Sequence, residues 1–241
     1  MNTKIICGYC EKVLHTLPTP HMVWLDPPDG IGKKYGVCDD RYDHYDQQLM
    51  KWTLDAIHAN SDIVWISHRP QSLYMLQSYA YSELGLEDRL FIWRYTFGQH
   101  CNHDCGHGYR PILRLSKSDV VWNVDAIRVE SERQRLGDKR ADPRGRVPDD
   151  VFEFPRVCGT FKERCDYHPT QHPIALMKRV VAMSCKPGET AVDMFGGTFS
   201  MAKACVELGV SSTSIEIDPY YCEQGALALG LKQTSPTTWE N

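Results

Sequence analysis

Residues 190–200 read Thr-Ala-Val-Asp-Met-Phe-Gly-Gly-Thr-Phe-Ser, and this stretch decides the fold. Thr190-Ala191-Val192-Asp193 is a short apolar run of the kind that forms a buried parallel strand. It runs into Asp193-Met194-Phe195-Gly196-Gly197-Thr198, where glycines let the backbone approach a ligand, and Ser200 to Leu208 follows as a helix. Thr213-Ser214-Ile215-Glu216 reads as the next strand, ending in a carboxylate placed to hold ribose hydroxyls. A nucleoside-containing cofactor is implied. The glycine fingerprint of a pyrophosphate site is missing, which favours a mononucleoside over a dinucleotide. Taken alone, the glycine pair also fits an ordinary turn.

The same alternation extends outward in both directions. Ile5-Ile6-Cys7 and Val23-Trp24-Leu25 read as buried strands, with a short helix from Glu11 to Leu17 between them, closed by Pro18. Asp46 to Ala59 has helical spacing, Asp62 to Ser67 is a strand, Leu73 to Leu84 a helix and Leu90 to Trp93 a strand. Pro173 to Met183 is a further helix. Helices alternating with apolar strands predict an α/β fold with a doubly wound, mostly parallel sheet, whose ligands bind beyond the carboxyl ends of the strands.

The chain has 241 residues, enough for one large domain with a modest insertion. A hydrophobic content of 42% and a charged content of 24% are those of a globular protein, excluding disordered and fibrous classes. The net charge of -4 excludes a uniformly basic nucleic-acid binder, so contact with a polyanion has to come from a local basic patch. Ten cysteines scattered through apolar segments, with no hydrophobic signal core after Met1, suggest a reduced cytoplasmic setting. No apolar run is long enough to span a bilayer.

Asp26-Pro27-Pro28-Asp29 stands at the end of the second strand. Two consecutive prolines remove two N–H donors and stiffen the backbone, leaving an edge of carbonyls and carboxylate that only accepts hydrogen bonds. Such an edge suits an amine with two N–H donors. Accepting both hydrogens raises electron density on the nitrogen as it attacks an electrophilic methyl, and the gain grows as positive charge develops. A proline-stiffened turn with a solvated aspartate is the commoner use of such a tetrapeptide.

With both motifs quoted, the chain resembles the β-class DNA amino-methyltransferases, in which an Asp-Pro-Pro-aromatic motif precedes the cofactor glycine motif in a permuted order. The likeness runs from about Lys4 to Ala228. His168-Pro169-Thr170-Gln171-His172-Pro173 is similar to the family's His-Pro-Thr-Gln-Lys-Pro element, and Ser214 to Tyr220 to its ribose-binding strand. The resemblance implies a Rossmann-like methyltransferase domain over residues 1–232, with 123–166 as an inserted target-recognition segment and 233–241 as a flexible tail. It implies S-adenosyl-L-methionine as cofactor and double-stranded DNA as partner, and leaves a homodimer open. Asp26, Pro27, Pro28 and Asp29 are then the catalytic group. Tyr9, Asp26, His168, Thr170, Gln171, Asp193, Phe195, Gly196, Gly197, Thr198, Glu216 and Asp218 are the expected cofactor contacts. An aspartate at the first motif position favours adenine N6 as target, with cytosine N4, or an inactive DNA-binding module of the same fold, as alternatives.

The sequence departs from the family at Asp29, where an aromatic ring is expected to stack on the flipped base. It also departs at Phe199, where the turn expects a second glycine, at Tyr9, where an acidic residue is expected near the cofactor adenine, and at His172, which replaces a lysine. Tyr35 and Trp24 are candidates for the missing stacking face. Between Arg128 and Arg164, Arg133, Arg135, Lys139, Arg140, Arg144 and Arg146 are expected to meet DNA, although acidic residues are interleaved with them. His100, Cys101, His103, Cys105 and His107 have zinc-like spacing, but no metal is assigned to them.

Overall fold

The computed structural model describes residues 1–59, 61–96 and 101–241. In chain order the elements are β1 (Thr3–Cys7), α1 (Cys10–Val13), β2 (Met22–Leu25), β3 (Lys34–Tyr35), β4 (Cys38–Asp39), α2 (Tyr45–His58), β5 (Ile63–Ser67) and α3 (Pro70–Tyr79). There follow β6 (Glu87–Arg94), β7 (Tyr109–Ser116), α4 (Glu132–Arg135), β8 (Val151–Glu153), α5 (Ile174–Ser184), β9 (Thr190–Asp193) and α6 (Ser200–Leu208). The chain closes with β10 (Ser211–Glu216), α7 (Pro219–Leu229), β11 (Lys232–Ser235) and β12 (Thr238–Glu240).

Ten strands form one sheet in the order β11-β12-β1-β10-β9-β2-β5-β7-β6-β8, while β3 and β4 make a separate small hairpin. The five central strands, β1, β10, β9, β2 and β5, are mutually parallel. Successive side chains of a strand face opposite sides, and a buried parallel strand has to satisfy both. Accordingly Met22 and Trp24 enter one apolar layer, with Leu176, Val180 and Met201 of α5 and α6. Val23 and Leu25 enter the other, with Leu49, Trp52 and Ala56 of α2 and Leu73 and Leu76 of α3. The α2 residues recur at helical spacing, so one stripe of that helix covers the sheet. This is the doubly wound α/β architecture.

Three features differ from the sequence expectation. The tail from residue 233 is not frayed: β12 pairs with β1 and with β11, and Trp239 is buried beside Ile5 and Phe199. Trp239 is a lone apolar residue among polar ones, and its burial against the β1 edge holds the hairpin. The segment 123–166 is not wholly superficial, since β8 joins the sheet through β6 and places Phe152 in the core. Strand β7 was not expected, because Arg110, Pro111 and Arg114 interrupt its apolar pattern. It pairs antiparallel with β5, Ile112 opposite Ser67. Its first residues therefore lie at the edge of the sheet where the central strands end.

Candidate active site

That edge is where the chemistry gathers. The ends of β1, β10, β9, β2 and β5 deliver Gly8, Glu216, Asp193, Asp26 and Ser67, and the start of β7 delivers Arg110. Most of these line a cleft of about 540 Å³, a volume suited to a small-molecule site. The cleft runs from Tyr9, Glu11 and Trp52 at one end, past the glycine turn, to Asp26, Trp93, Tyr95 and Arg110 at the other.

The glycine turn is held by the backbone around it. Gly196 N–H donates to the Ile215 carbonyl at 2.8 Å, and Gly197 N–H donates to Glu216 Oε2 at 2.8 Å. Gly197 has φ +51, the left-handed conformation that favours glycine, while a Cβ there would make only ordinary contact with the His168 ring at 3.4 Å. Phe199 has φ 56, the left-handed value that the missing glycine would adopt easily. Its ring is fully buried against Gly225, where a Cβ would come within 2.1 Å of it. The space left by one glycine thus accommodates the ring that stands in for another.

Glu216 also accepts from Asp218 N–H at 2.9 Å. Burial pushes its carboxyl above the ordinary value, and backbone N–H groups oppose the shift. Asp193 accepts from Phe195 N–H at 3.1 Å, and burial pushes its carboxyl up to about 8. Thr198 is buried, with its hydroxyl 3.0 Å from that of Ser200. Phe195 packs edge-on against Trp52 at 5.0 Å.

Other expected contacts divide between the cleft and the scaffold. His168 lies over the turn, stacked on Tyr35 at 5.7 Å, and its Nδ1 is 2.6 Å from the Thr170 carbonyl. Thr170 lines the cleft, and so does Tyr9, which is exposed. Gln171 braces the preceding loop, accepting from Cys165 N–H at 2.9 Å and donating to the Glu163 carbonyl at 2.7 Å. Asp218 caps α7, accepting from Tyr220 N–H at 2.8 Å, and accepts from Val37 N–H at 2.8 Å. It stands behind the cleft wall rather than in it.

Glu11, two residues beyond Tyr9, is an acidic cleft residue that motif matching missed. It accepts from Trp52 Nε1 at 2.9 Å and Gln48 Nε2 at 3.1 Å. Burial raises its carboxyl, but a backbone hydrogen bond, the Trp52 indole and the Lys51 charge outweigh burial and hold it below the ordinary value. Glu11 lines the cleft together with Tyr9, so this end of the cleft does carry an acidic group.

Around the tetrapeptide a polar network closes. Arg110 Nη2 donates to Asp26 Oδ1 at 3.1 Å and to Asp29 Oδ1 at 3.0 Å, and Nη1 donates to Asp29 Oδ2 at 3.2 Å. Its Nε donates to Ser67 Oγ at 2.7 Å. His172 Nδ1 lies 3.2 Å from Asp26 Oδ2, and Nε2 lies 3.3 Å from Ser67 Oγ. Burial raises the Asp26 carboxyl, but His172 and Arg110 outweigh it and hold the group below the ordinary value. Burial lowers His172 despite the opposing pull of Asp26. Tyr45 donates to the Pro28 carbonyl and lies 2.7 Å from His68 Nε2, which fixes the second proline from behind. Both stacking candidates line the cleft, but Trp24 is almost fully buried beside His172, whereas Tyr35 is partly exposed.

The six basic residues expected to meet DNA lie on the surface, outside the cleft lining, whereas Arg156 of the same segment lines the cleft. Arg135, Arg140, Arg144 and Arg146 pair with Glu132, Asp138, Asp142 and Asp149, all near neighbours in sequence, and Arg133 and Lys139 are exposed. His100 lies outside the described residues. Cys101 and Cys105 are exposed, and no group of three or more potential metal ligands occurs among the described residues. No described helix is long and apolar enough to cross a membrane.

A profile of the DNA methylase family matches residues 21–227. The chain belongs to the DNA methylase family. Its members are DNA amino-methyltransferases, and the matched span takes in both the Asp26 tetrapeptide and the glycine turn. Relatives in sequence include the DNA adenine methyltransferase YhdJ of Escherichia coli (strain K12), 28% identical over 92% of this chain and 80% of its own length. The Type II methyltransferase M.HpaI of Haemophilus parainfluenzae is 27% identical over 92% of this chain and 73% of its own. In structure, the fold is similar to M1.HpyAVI in complex with SAM, with a TM-score of 0.66 at 16% identity, covering 94% of this chain and 98% of that one. It is also similar to the cytosine-N4-specific PvuII DNA methyltransferase, with a TM-score of 0.67 at 13% identity, covering 98% and 88%.

Proposed function

We propose that this chain transfers a methyl group from S-adenosyl-L-methionine to the N6 amino group of adenine in double-stranded DNA. The observation that carries the reading is the Asp26 carboxylate, which lines the cleft together with the glycine turn and has one oxygen against Arg110 and the other against His172. The cleft suits the cofactor. Gly197 takes the left-handed turn that brings backbone to the cleft wall, Glu216 offers a buried acceptor for ribose hydroxyls, and Glu11 with Trp52 and Phe195 makes an aromatic-walled slot for adenine.

When bound, the cofactor supplies an electrophilic methyl group. Asp26 accepts an N–H of the target amine and, with the Pro27 carbonyl beside it, leaves the nitrogen lone pair directed along the cleft. As the nitrogen–methyl bond forms and the methyl–sulfur bond breaks, releasing S-adenosylhomocysteine, positive charge grows on nitrogen, which a fixed anion stabilises without reorganisation. The extra proton then passes from nitrogen to solvent beside the partly exposed Asp26. Aspartate at position 26 and the adenine methyltransferase among the relatives support adenine. Cytosine N4 presents the same two donors, so the product nucleoside is the discriminating observation.

Incubation with labelled S-adenosylmethionine and unmodified DNA, followed by digestion to nucleosides, tests the reading. N6-methyladenine is expected. N4-methylcytosine would replace the base assignment, and absence of any methylated nucleoside across varied DNA would sink the proposal. Asp26→Ala should abolish transfer while calorimetry shows cofactor binding preserved. Loss of both together would make Asp26 a structural residue.

A further inference from the structure

Arg110 belongs to neither motif, yet it is the cation closest to the tetrapeptide. We infer that Arg110 is a positioning residue for the methyl transfer, held by Asp29 in a two-point grip so that it fixes the Asp26 carboxylate for the incoming amine. The inference rests on the amino-methyltransferase reading above.

Three observations carry it. Both guanidinium nitrogens donate to the two oxygens of Asp29 at 3.0 and 3.2 Å, a fork geometry that leaves little rotational freedom. The guanidinium then reaches Asp26 Oδ1 at 3.1 Å while Nε is anchored on Ser67 Oγ at 2.7 Å. Ser67 in turn lies 3.3 Å from His172, whose other ring nitrogen lies 3.2 Å from Asp26 Oδ2. Asp26 is thus gripped at one oxygen by a cation and at the other by an imidazole, both referred to the same serine at the end of β5. The lone pairs of each oxygen outside this ring are those left for an amine.

The arrangement also accounts for Asp29. A side chain at this position that pairs with Arg110 gives the pocket a second carboxylate, so one arginine serves two anions and the site retains one net negative charge for a developing ammonium. An aromatic ring at 29 would leave Arg110 without that counter-ion. The charged and titratable groups facing the cluster are Asp26, Asp29, His172, His68, Tyr95, Tyr35, Tyr45, His168 and Asp193. Burial drives both imidazoles toward the neutral form, which leaves Arg110 as the permanent cation.

The test is the pH dependence of single-turnover methyl transfer, with cofactor affinity measured alongside, in the full chain. Arg110→Ala should lower the transfer rate about 100-fold with cofactor affinity unchanged, and move the acid limb upward by about one pH unit as Asp26 loses a cation. Arg110→Lys should keep the acid limb in place without restoring the rate, because a point charge lacks the fork. Asp29→Asn and Asp29→Tyr should both slow transfer. An unshifted acid limb in Arg110→Ala, or an Asp29→Tyr enzyme as fast as the unaltered one, would overturn the inference while leaving the methyltransferase reading intact. If Arg110→Ala does not fold, Arg110→Lys and Asp29→Tyr still decide it. An unaltered protein that methylates no DNA removes both.

Discussion

At the residue scale, the burial of Asp193 has a thermodynamic signature. Its carboxyl is 3% exposed and lies at about 8 against an ordinary value of 3.8. Between those values the folded chain binds a proton that the unfolded chain has lost, so the group favours folding at low pH. Stability from this source is lost as pH rises toward 8, and then levels off. Asp193→Asn, neutral and nearly isosteric, should remove the decline. Thermal unfolding of both proteins in the absence of ligand, from pH 5 to 8.5, checks this: the difference in midpoint should widen in favour of the Asn variant as pH rises. A constant difference would place the perturbed proton elsewhere. Asp193 and Glu216 were legible in the sequence because each ends a short strand, one on either side of the glycine turn and its helix. Arg110 was not, because arginine and proline in its own strand hid that strand, and only pairing with β5 brings it beside Asp26.

Among the elements, the terminal hairpin is the one whose behaviour departs most from its composition. β11 is exposed throughout, and β12 has one strongly buried side chain, Trp239. That ring contributes to the cluster of Ile5, Phe199, Ala202 and Cys222, which also underlies the glycine turn. Trp239→Ala should cost about 3–5 kcal/mol, the range for truncating a buried aromatic side chain. Denaturant unfolding followed by far-ultraviolet dichroism measures it, and a loss under 1 kcal/mol would mean that the hairpin is dispensable. The central parallel strands and α6 were readable because their patterns are continuous. A strand carried by one tryptophan among polar residues offers no period to read.

For the whole molecule the question is how a chain of net charge -4 meets a polyanion. Arg135, Arg140, Arg144 and Arg146 of the inserted segment are paired with adjacent carboxylates at the surface, where each ion pair contributes little. Exchange of a carboxylate partner for a DNA phosphate is therefore inexpensive, but the acidic neighbours reduce the attraction at a distance. Replacing Asp138 and Asp142 together by Asn should tighten DNA binding and steepen its salt dependence, the slope of log K against log salt rising by about 1–2. Affinity measured over a salt series reports both. An unchanged slope would show that Arg140 and Arg144 do not reach the phosphates.

The first and last strands pair, Lys4 bridges to Glu240 at 2.7 Å, and Thr3 N–H donates to Asn241 Oδ1 at 2.9 Å. A chain whose ends touch is in effect a ring cut once, and the site records nothing of where the cut falls. Joined through a short linker and opened instead among the exposed residues near Arg140, the same ring would present the glycine turn first and Asp26 second, with every wall of the cleft in place. The order in which the two motifs are met along the polypeptide is then a property of the opening alone, and the architecture of the cleft belongs to the ring.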